Sequence, residues 1–147
     1  MSKDPVPLKA VHHIEFWVGN AKQAAFFYRN AFGFNQIAYS GLETGDRNKA
    51  SYVMEQGRVR LVFSTPLNGN NGISTHIKKH GDGVKDIAFH VDDAKACYEA
   101  CVARGAKSAS EPRILEDDNG KVTHASICTY GETIHSFISH DTYKGPF

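Results

Sequence analysis

Polar and apolar residues alternate along "VHHIEFWVGN", residues 11–20: Ile14, Phe16 and Val18 fall on one side, His13, Glu15 and Trp17 on the other. That period of two is the signature of a strand with one buried face. The pattern returns in "VKDIAFHVDD", residues 84–93, where Ile87, Phe89 and Val91 alternate with Asp86, Ala88 and His90. Val11, Ile14, Phe16 and Val18 become Val84, Ile87, Phe89 and Val91 at a constant shift of 84 − 11 = 73 residues. The same shift carries His13 onto Asp86.

Each of these strands runs into a helix start. Asn20 and Asp93 are good N-caps ahead of "AKQAAFFYRNAFGF" and "AKACYEACVARGAK". Ala24, Phe27, Tyr28 and Ala31 share a helical spacing in the first, and Ala94, Cys97, Cys101 and Arg104 in the second. Gly33 and Gly105 sit where a helix C-terminus favours a left-handed residue. Strand-like runs follow: "NQIAYSGL", "ASYVMEQ" and "RVRLVFSTP" in the first half, and "ILEDDNGKV", "THASICTY" and "TIHSFIS" in the second. Gly57 and Gly131 separate the last two runs of each set. The linker "LNGNNGISTHIKKHGDG" carries a predicted short helix capped by Ser74 and ended by Gly81.

One domain over residues 1–147 is therefore expected, built from a βαβββ unit at 10–66, a linker at 67–82 and a second βαβββ unit at 83–140. A helix covers only one face of each sheet, so the polar-lined face of each unit needs a partner. The predicted fold class is α+β, with two βαβββ units paired about a pseudo-twofold axis into a curved mixed sheet enclosing a cleft. In that arrangement His13 and Asp86 would face each other.

Composition narrows the function. The chain has 147 residues, 41% hydrophobic and 22% charged, with a formal charge of +1, as in ordinary globular domains. Lys and Arg are scattered, which gives no electrostatic case for nucleic acid or an anionic membrane. No apolar run approaches a membrane span, and "MSKDPVPLKA" lacks the apolar core of a signal peptide. Three cysteines, Cys97, Cys101 and Cys128, argue against a secreted disulfide framework. A cytoplasmic location is expected.

A βαβββ repeat with a histidine near the start of its first strand resembles the vicinal oxygen chelate superfamily, whose members include glyoxalase I and extradiol dioxygenases. The resemblance implies metal ligands from the first and last strands of each unit, at positions matching His13, about Leu61, Asp86 and His135. The Leu61 match depends on aligning Gly57 with Gly131, and a one-residue slip would substitute Val62. Two imidazoles and one carboxylate suit non-haem Fe(II), or Mn, Co or Zn. Alternation along β-structure would put His135 on the cleft side with Phe137 and Ser139, leaving Ile134, Ser136 and Ile138 toward the helices.

Longer stretches carry a narrower resemblance. "VHHIEFWVGNAKQAAFFYRNAFGF", "LETGDR", "HGDGVKDIAFHVDD" and "EPRILEDDNGKV" together resemble the N-terminal half of the 4-hydroxyphenylpyruvate dioxygenase family. That likeness implies tyrosine catabolism, with Fe(II) and O2 converting 4-hydroxyphenylpyruvate to homogentisate. It also implies that the working iron site, with ligands in the order His, His, Glu, belongs to a C-terminal half not contained in these residues. His13, Asp86 and His135 then form either a divalent-metal site or a buried hydrogen-bonded cluster, and the cluster is the favoured expectation. Expected partners are the catalytic half or a second copy of the domain, with a small molecule in the cleft. A free-standing metal enzyme of the superfamily and a binding module without chemistry are the alternatives.

Other features are weaker. His76 and His80 have a helical metal-binding spacing, but an exposed helix with His80 at its favourable C-terminal end accounts for them. Cys97 and Cys101 read as small core residues. "HGDG" lacks the strand-to-helix turn of a phosphate loop. Trp17 and Glu15 line the expected cleft.

Overall fold

The computed structural model describes residues 4–147; Met1–Lys3, the start of the stretch read above for a signal sequence, lie outside them. The chain divides into two compact units, one of His13–Lys85 with Phe147, the other of the residues through His12 with Asp86–Pro146. Strand β1 (Leu8–Trp17) thus contributes its first half to one unit and its second half to the other.

The unit of His13–Lys85 contains helix α1 (Ala21–Phe32) and strands β2 (Asn35–Ser40), β3 (Lys49–Gln56) and β4 (Val59–Pro66). Its strand order is β2-β3-β4-β1, with β2/β3 and β3/β4 antiparallel and β4/β1 parallel. Asn20 caps α1 by accepting from the Gln23 N–H at 2.9 Å, worth about 1 kcal/mol. Gly33 ends it with φ of 77°, a left-handed conformation that a β-carbon would strain. The helix buries Ala21 and Ala25 against Val18, Phe34, Met54, Leu61 and Phe63, with Ile14, Phe16 and Tyr28 beside them. Phe27, assigned to this face by spacing, instead projects outward with Phe26 and Phe32. Small alanines let the helix lie close to the sheet, and the larger aromatics are left on its outer side.

Helix α2 (Gly72–His80) completes this unit. Its cap is Asn71, whose side chain accepts from the Ser74 N–H at 2.9 Å, so the predicted cap at Ser74 is three residues late. The Ser74 hydroxyl instead donates to the Asn68 carbonyl. Nor is α2 exposed throughout: His76 is buried, edge-on to Trp17 with ring centroids 5.1 Å apart.

The second unit repeats this plan with β5 (Gly83–Val91), α3 (Ala94–Ala103), β6 (Ser108–Asp117), β7 (Gly120–Cys128) and β8 (Ile134–Ser139). Strand order β6-β7-β8-β5 has the same senses, with β8/β5 parallel. Asp93 caps α3 through the Ala96 N–H, as predicted. Cys97 is buried with Val91, Ala94, Tyr98, Ala125 and Phe137, and Cys101 packs at the edge of that cluster. Burial pushes both thiols above their ordinary range, as inert core cysteines require.

One strand boundary departs from expectation. "ILEDDNGKV" is not a strand but spans the end of β6, a turn and the start of β7. Asp117 accepts from the Asn119 N–H at 2.7 Å, and Gly120 takes φ of 123°. A β-carbon at Gly120 would lie 2.5 Å from the Thr142 carbonyl oxygen, so glycine is needed for space as well as conformation. Among the described residues, no helix is long and apolar enough to cross a membrane.

Candidate functional site

In the unit of His13–Lys85, the face turned away from α1 holds a cavity of about 350 Å³. Alternation along β1 directs His13 and Glu15 into it, as the sequence predicts. The other strands add Ala38, Tyr39, Ser40, Lys49, Ser51, Val53 and Val62, and Phe147 closes the lining. His13 meets the Phe147 ring edge-on, with centroids 5.2 Å apart. The Arg60 guanidinium lies 4.8 Å from the centre of that same ring and is itself paired with Glu55 at 2.6 Å.

Glu15 anchors a chain of hydrogen bonds along this face. Its Oε1 accepts from the Ser64 hydroxyl at 2.8 Å and, at 3.3 Å, from the Trp17 indole N–H. The Ser51 and Ser64 hydroxyl oxygens are 2.7 Å apart. Ser64 has one hydroxyl hydrogen and gives it to Glu15, so Ser51 is the donor to Ser64. Trp17 is held from two sides, by His76 and by the Lys85 ammonium 4.7 Å from its ring centre, a favourable cation–π placement. At the rim, Tyr39 donates to Glu43 at 2.6 Å. That bond is the main reason the phenol is pushed up to about 12 and the Glu43 carboxyl is lowered.

His13 and Glu15 bring potential ligand atoms within 4.8 Å of each other. An imidazole, a carboxylate, an ammonium and a hydroxyl around one hollow can orient a small polar molecule or move a proton to it. Sequence alone does not point to Lys49, Ser51 and Ser64, because they lie on β3 and β4 and only the long-range register brings them beside β1.

In the unit of Asp86–Pro146 the equivalent face carries a different network. The buried Asp86 accepts from the Ser136 N–H at 3.0 Å and the Ser136 hydroxyl at 2.5 Å. Ser136 Oγ lies 3.2 Å from His124 Nε2, and with its hydrogen committed to Asp86 it accepts from His124.

His135 is not part of this network. Phe137, two residues along β8, packs in the cluster under α3, and His135 shares that side. Its ring lies 5.0 Å from Phe89 and its Nδ1 is 3.0 Å from the Ile87 carbonyl oxygen. The expected orientation of β8 is therefore inverted: Ser136 takes the face assigned to His135. His135 and Asp86 lie on opposite faces of one sheet, so the set His13, Asp86 and His135 does not fit a metal ion. The expected hydrogen-bonded cluster likewise loses His135, and Ser136 serves as the carboxylate's donor.

Register explains the Leu61 match. Ile14 pairs with Leu61, while Asp86 pairs with Ile134, which sets Ile87 opposite His135. Leu61 and His135 are therefore equivalent, and both face a helix. The residues turned the other way are Val62, which lines the cavity, and Ser136.

Residues 12–123 match the family model described as Glyoxalase/Bleomycin resistance protein/Dioxygenase superfamily. A 4-hydroxyphenylpyruvate dioxygenase of Dictyostelium discoideum is 47% identical over 142 residues, 95% of this chain and 39% of that relative. One from Danio rerio is 49% identical over 138 residues, 92% of this chain and 35% of the relative. The chain thus spans well under half the length of the curated relatives it matches. A mutant 4-hydroxymandelate synthase from Streptomyces coelicolor superposes with a TM-score of 0.85 at 26% identity, covering 90% of this chain and 39% of that one. Methylmalonyl-CoA epimerase of the same organism shares the fold, with a TM-score of 0.75 at 16% identity over 95% of this chain and 100% of that one. With its duplicated βαβββ units and a model match over most of its length, the chain belongs to the Glyoxalase/Bleomycin resistance protein/Dioxygenase superfamily.

Proposed function

We propose that this chain is the N-terminal, scaffolding portion of a 4-hydroxyphenylpyruvate dioxygenase, and that the whole enzyme converts 4-hydroxyphenylpyruvate to homogentisate in the cytoplasm. One observation carries the reading: identity near 47–49% runs through more than nine-tenths of this chain yet reaches only 35–39% of the relatives. Identity at that level over a whole folded segment favours a shared role within the longer enzyme. The partner is then the C-terminal portion, which would supply Fe(II) and its ligands. The inversion of His135 supports this assignment, because it removes one of the three donors that an Fe(II) site in this segment would use.

A second reading is favoured by the cavity beside His13 and Glu15: a domain of this fold that binds a small polar molecule on its own. About 350 Å³ lies within the size range of small-molecule sites, and the epimerase likeness covers a complete chain of similar extent. A chimera separates the two. This chain would replace the matching segment of the Dictyostelium discoideum relative, and homogentisate formation would be followed by chromatography. Turnover close to that of the parent supports the scaffold, whereas a well-folded but inactive chimera favours the independent module.

A further inference from the structure

Three imidazoles gather in the unit of Asp86–Pro146, away from the Asp86 network. His12 Nε2 and His140 Nε2 stand 3.0 Å apart. Their rings are nearly perpendicular, with centroids 5.1 Å apart at 85°. The His90 ring lies 5.2 Å from that of His140 and 6.4 Å from that of His12. Three histidines come together here from β1, β5 and the segment after β8, at sequence separations that no local spacing would reveal.

We propose that His12 and His140 form a two-histidine site for a borderline divalent transition-metal ion, with the His90 ring packed beside the pair and outside the ligand set. Two nitrogens each about 2.1 Å from one ion and roughly 90° apart around it stand about 3 Å from each other, which is the observed separation. Imidazole suits Zn, Cu, Ni and Fe in this role. Access is open: His140 is exposed and His12 half-buried, so an ion reaches both Nε2 atoms without unfolding. The carboxylates closest in sequence to His90 and His140 are engaged elsewhere, Asp92 with Lys9 at 2.6 Å and Asp141 with Thr123 and Ser139 at 2.6 and 2.9 Å. Imidazoles are therefore the protein donors at this spot, and water fills the remaining positions. The metal-free pair is joined by an Nε2–H···Nε2 bond, which an incoming ion replaces once the donor imidazole carries its proton on Nδ1 instead of Nε2.

The test is calorimetric titration of the tag-free, chelator-treated chain with Zn(II), alongside His12→Ala, His140→Ala, His140→Gln and a His13→Ala/His80→Ala double variant. One stoichiometric binding step is expected in the parent and in the double variant. In His140→Gln, which can still hydrogen-bond to His12, affinity should fall by more than the roughly 10- to 100-fold typical of losing an outer-sphere partner. His12→Ala should behave alike, with circular dichroism confirming the fold. In the parent, Zn(II) should also shift the Nε2 resonances of His12 and His140 in nitrogen-15 spectra. No saturable step, a step surviving in His140→Gln, or a step lost in the double variant overturns the proposal.

Discussion

Asp86 receives two hydrogen bonds from one residue, the backbone N–H of Ser136 at 3.0 Å and its hydroxyl at 2.5 Å. Both partners are buried, so the carboxylate depends on these donors in place of bulk water. Replacing the hydroxyl should therefore cost more than an average hydrogen bond. Ser136→Ala is expected to destabilise the protein by about 1.5–3 kcal/mol, the usual range for bonds to charged groups. Urea unfolding should show a lower midpoint with an unchanged slope. A midpoint equal to that of the parent would mean that water replaces the hydroxyl without loss.

His135 tests the inverted face of β8. Its ring packs on Phe89 and its Nδ1 meets the Ile87 carbonyl beneath α3. His135→Ala should lower stability by about 1–3 kcal/mol through lost packing and a lost hydrogen bond. It should leave the Zn(II) titration unaltered, because the proposed ligands are His12 and His140. A large loss of metal affinity with unchanged stability would contradict the placement.

The composition of β8 itself does not orient His135. On one face are His135, Phe137 and Ser139, on the other Ile134, Ser136 and Ile138. Each face thus mixes apolar and polar residues, and a strand buried on both sides gives no alternation to decide between them. Strands β1 and β5 were legible because their two faces differ in character. The caps Asn20 and Asp93 were legible because each directly precedes a helical run. Sequence does not separate Asn71 from Ser74, since both residue types cap well and only the backbone shows where α2 begins. The Asp117–Gly120 turn had its signal in "DDNG", which was absorbed into an overlong strand. His13 and Glu15 could be read from one strand, whereas Lys49, Ser51, Ser64 and the His12–His140 pair depend on pairings between distant segments.

Tyr39 and Glu43 give a prediction in pH. The phenol is held up at about 12, chiefly by its bond to Glu43, and the carboxyl is lowered chiefly by the same bond. For Glu43 the depressed folded value stabilises the fold above its unfolded value, and that support is lost as acid protonates the folded carboxyl. For Tyr39 the raised folded value stabilises the fold below about 10, and the support fades as alkali approaches 12. Ultraviolet titration of phenolate should show a late-ionising component from Tyr39 that moves toward the ordinary range in Glu43→Gln. An unchanged curve would show that the contact does not persist in solution.

Thiol labelling examines the core of the second unit. Cys97 is buried and its thiol raised mainly by desolvation, and the thiolate is the reactive form. Cys128, on β7 and only partly buried, should react with an aromatic disulfide reagent well before Cys97. Cys97 should be modified only as fast as the protein opens, and a Cys97→Ser variant should leave the fast phase intact. Rapid labelling of Cys97 in the native state would mean that α3 does not stay seated on its sheet.

The last prediction concerns catalysis. The isolated chain should not convert 4-hydroxyphenylpyruvate to homogentisate when supplied with Fe(II) and O2. Iron chemistry of this kind needs three protein ligands on one face with open positions beside them. His135 has turned to the helix side, and each Asp86 oxygen already accepts a hydrogen bond from Ser136. Reorienting β8 to present His135 would bury Ser136 and Ile138 under α3 and expel Phe137 from its cluster, because a one-residue slip reverses every side chain. Losing a buried phenylalanine alone costs about 3–5 kcal/mol, a large part of the stability of a domain this size. The donor set therefore does not form by a small adjustment. Oxygen uptake at the level of a protein-free Fe(II) control is expected, and the chimera containing the rest of the relative should restore it. Steady turnover by the 147-residue chain itself, abolished in His13→Ala, would make this segment catalytic and remove the scaffold reading.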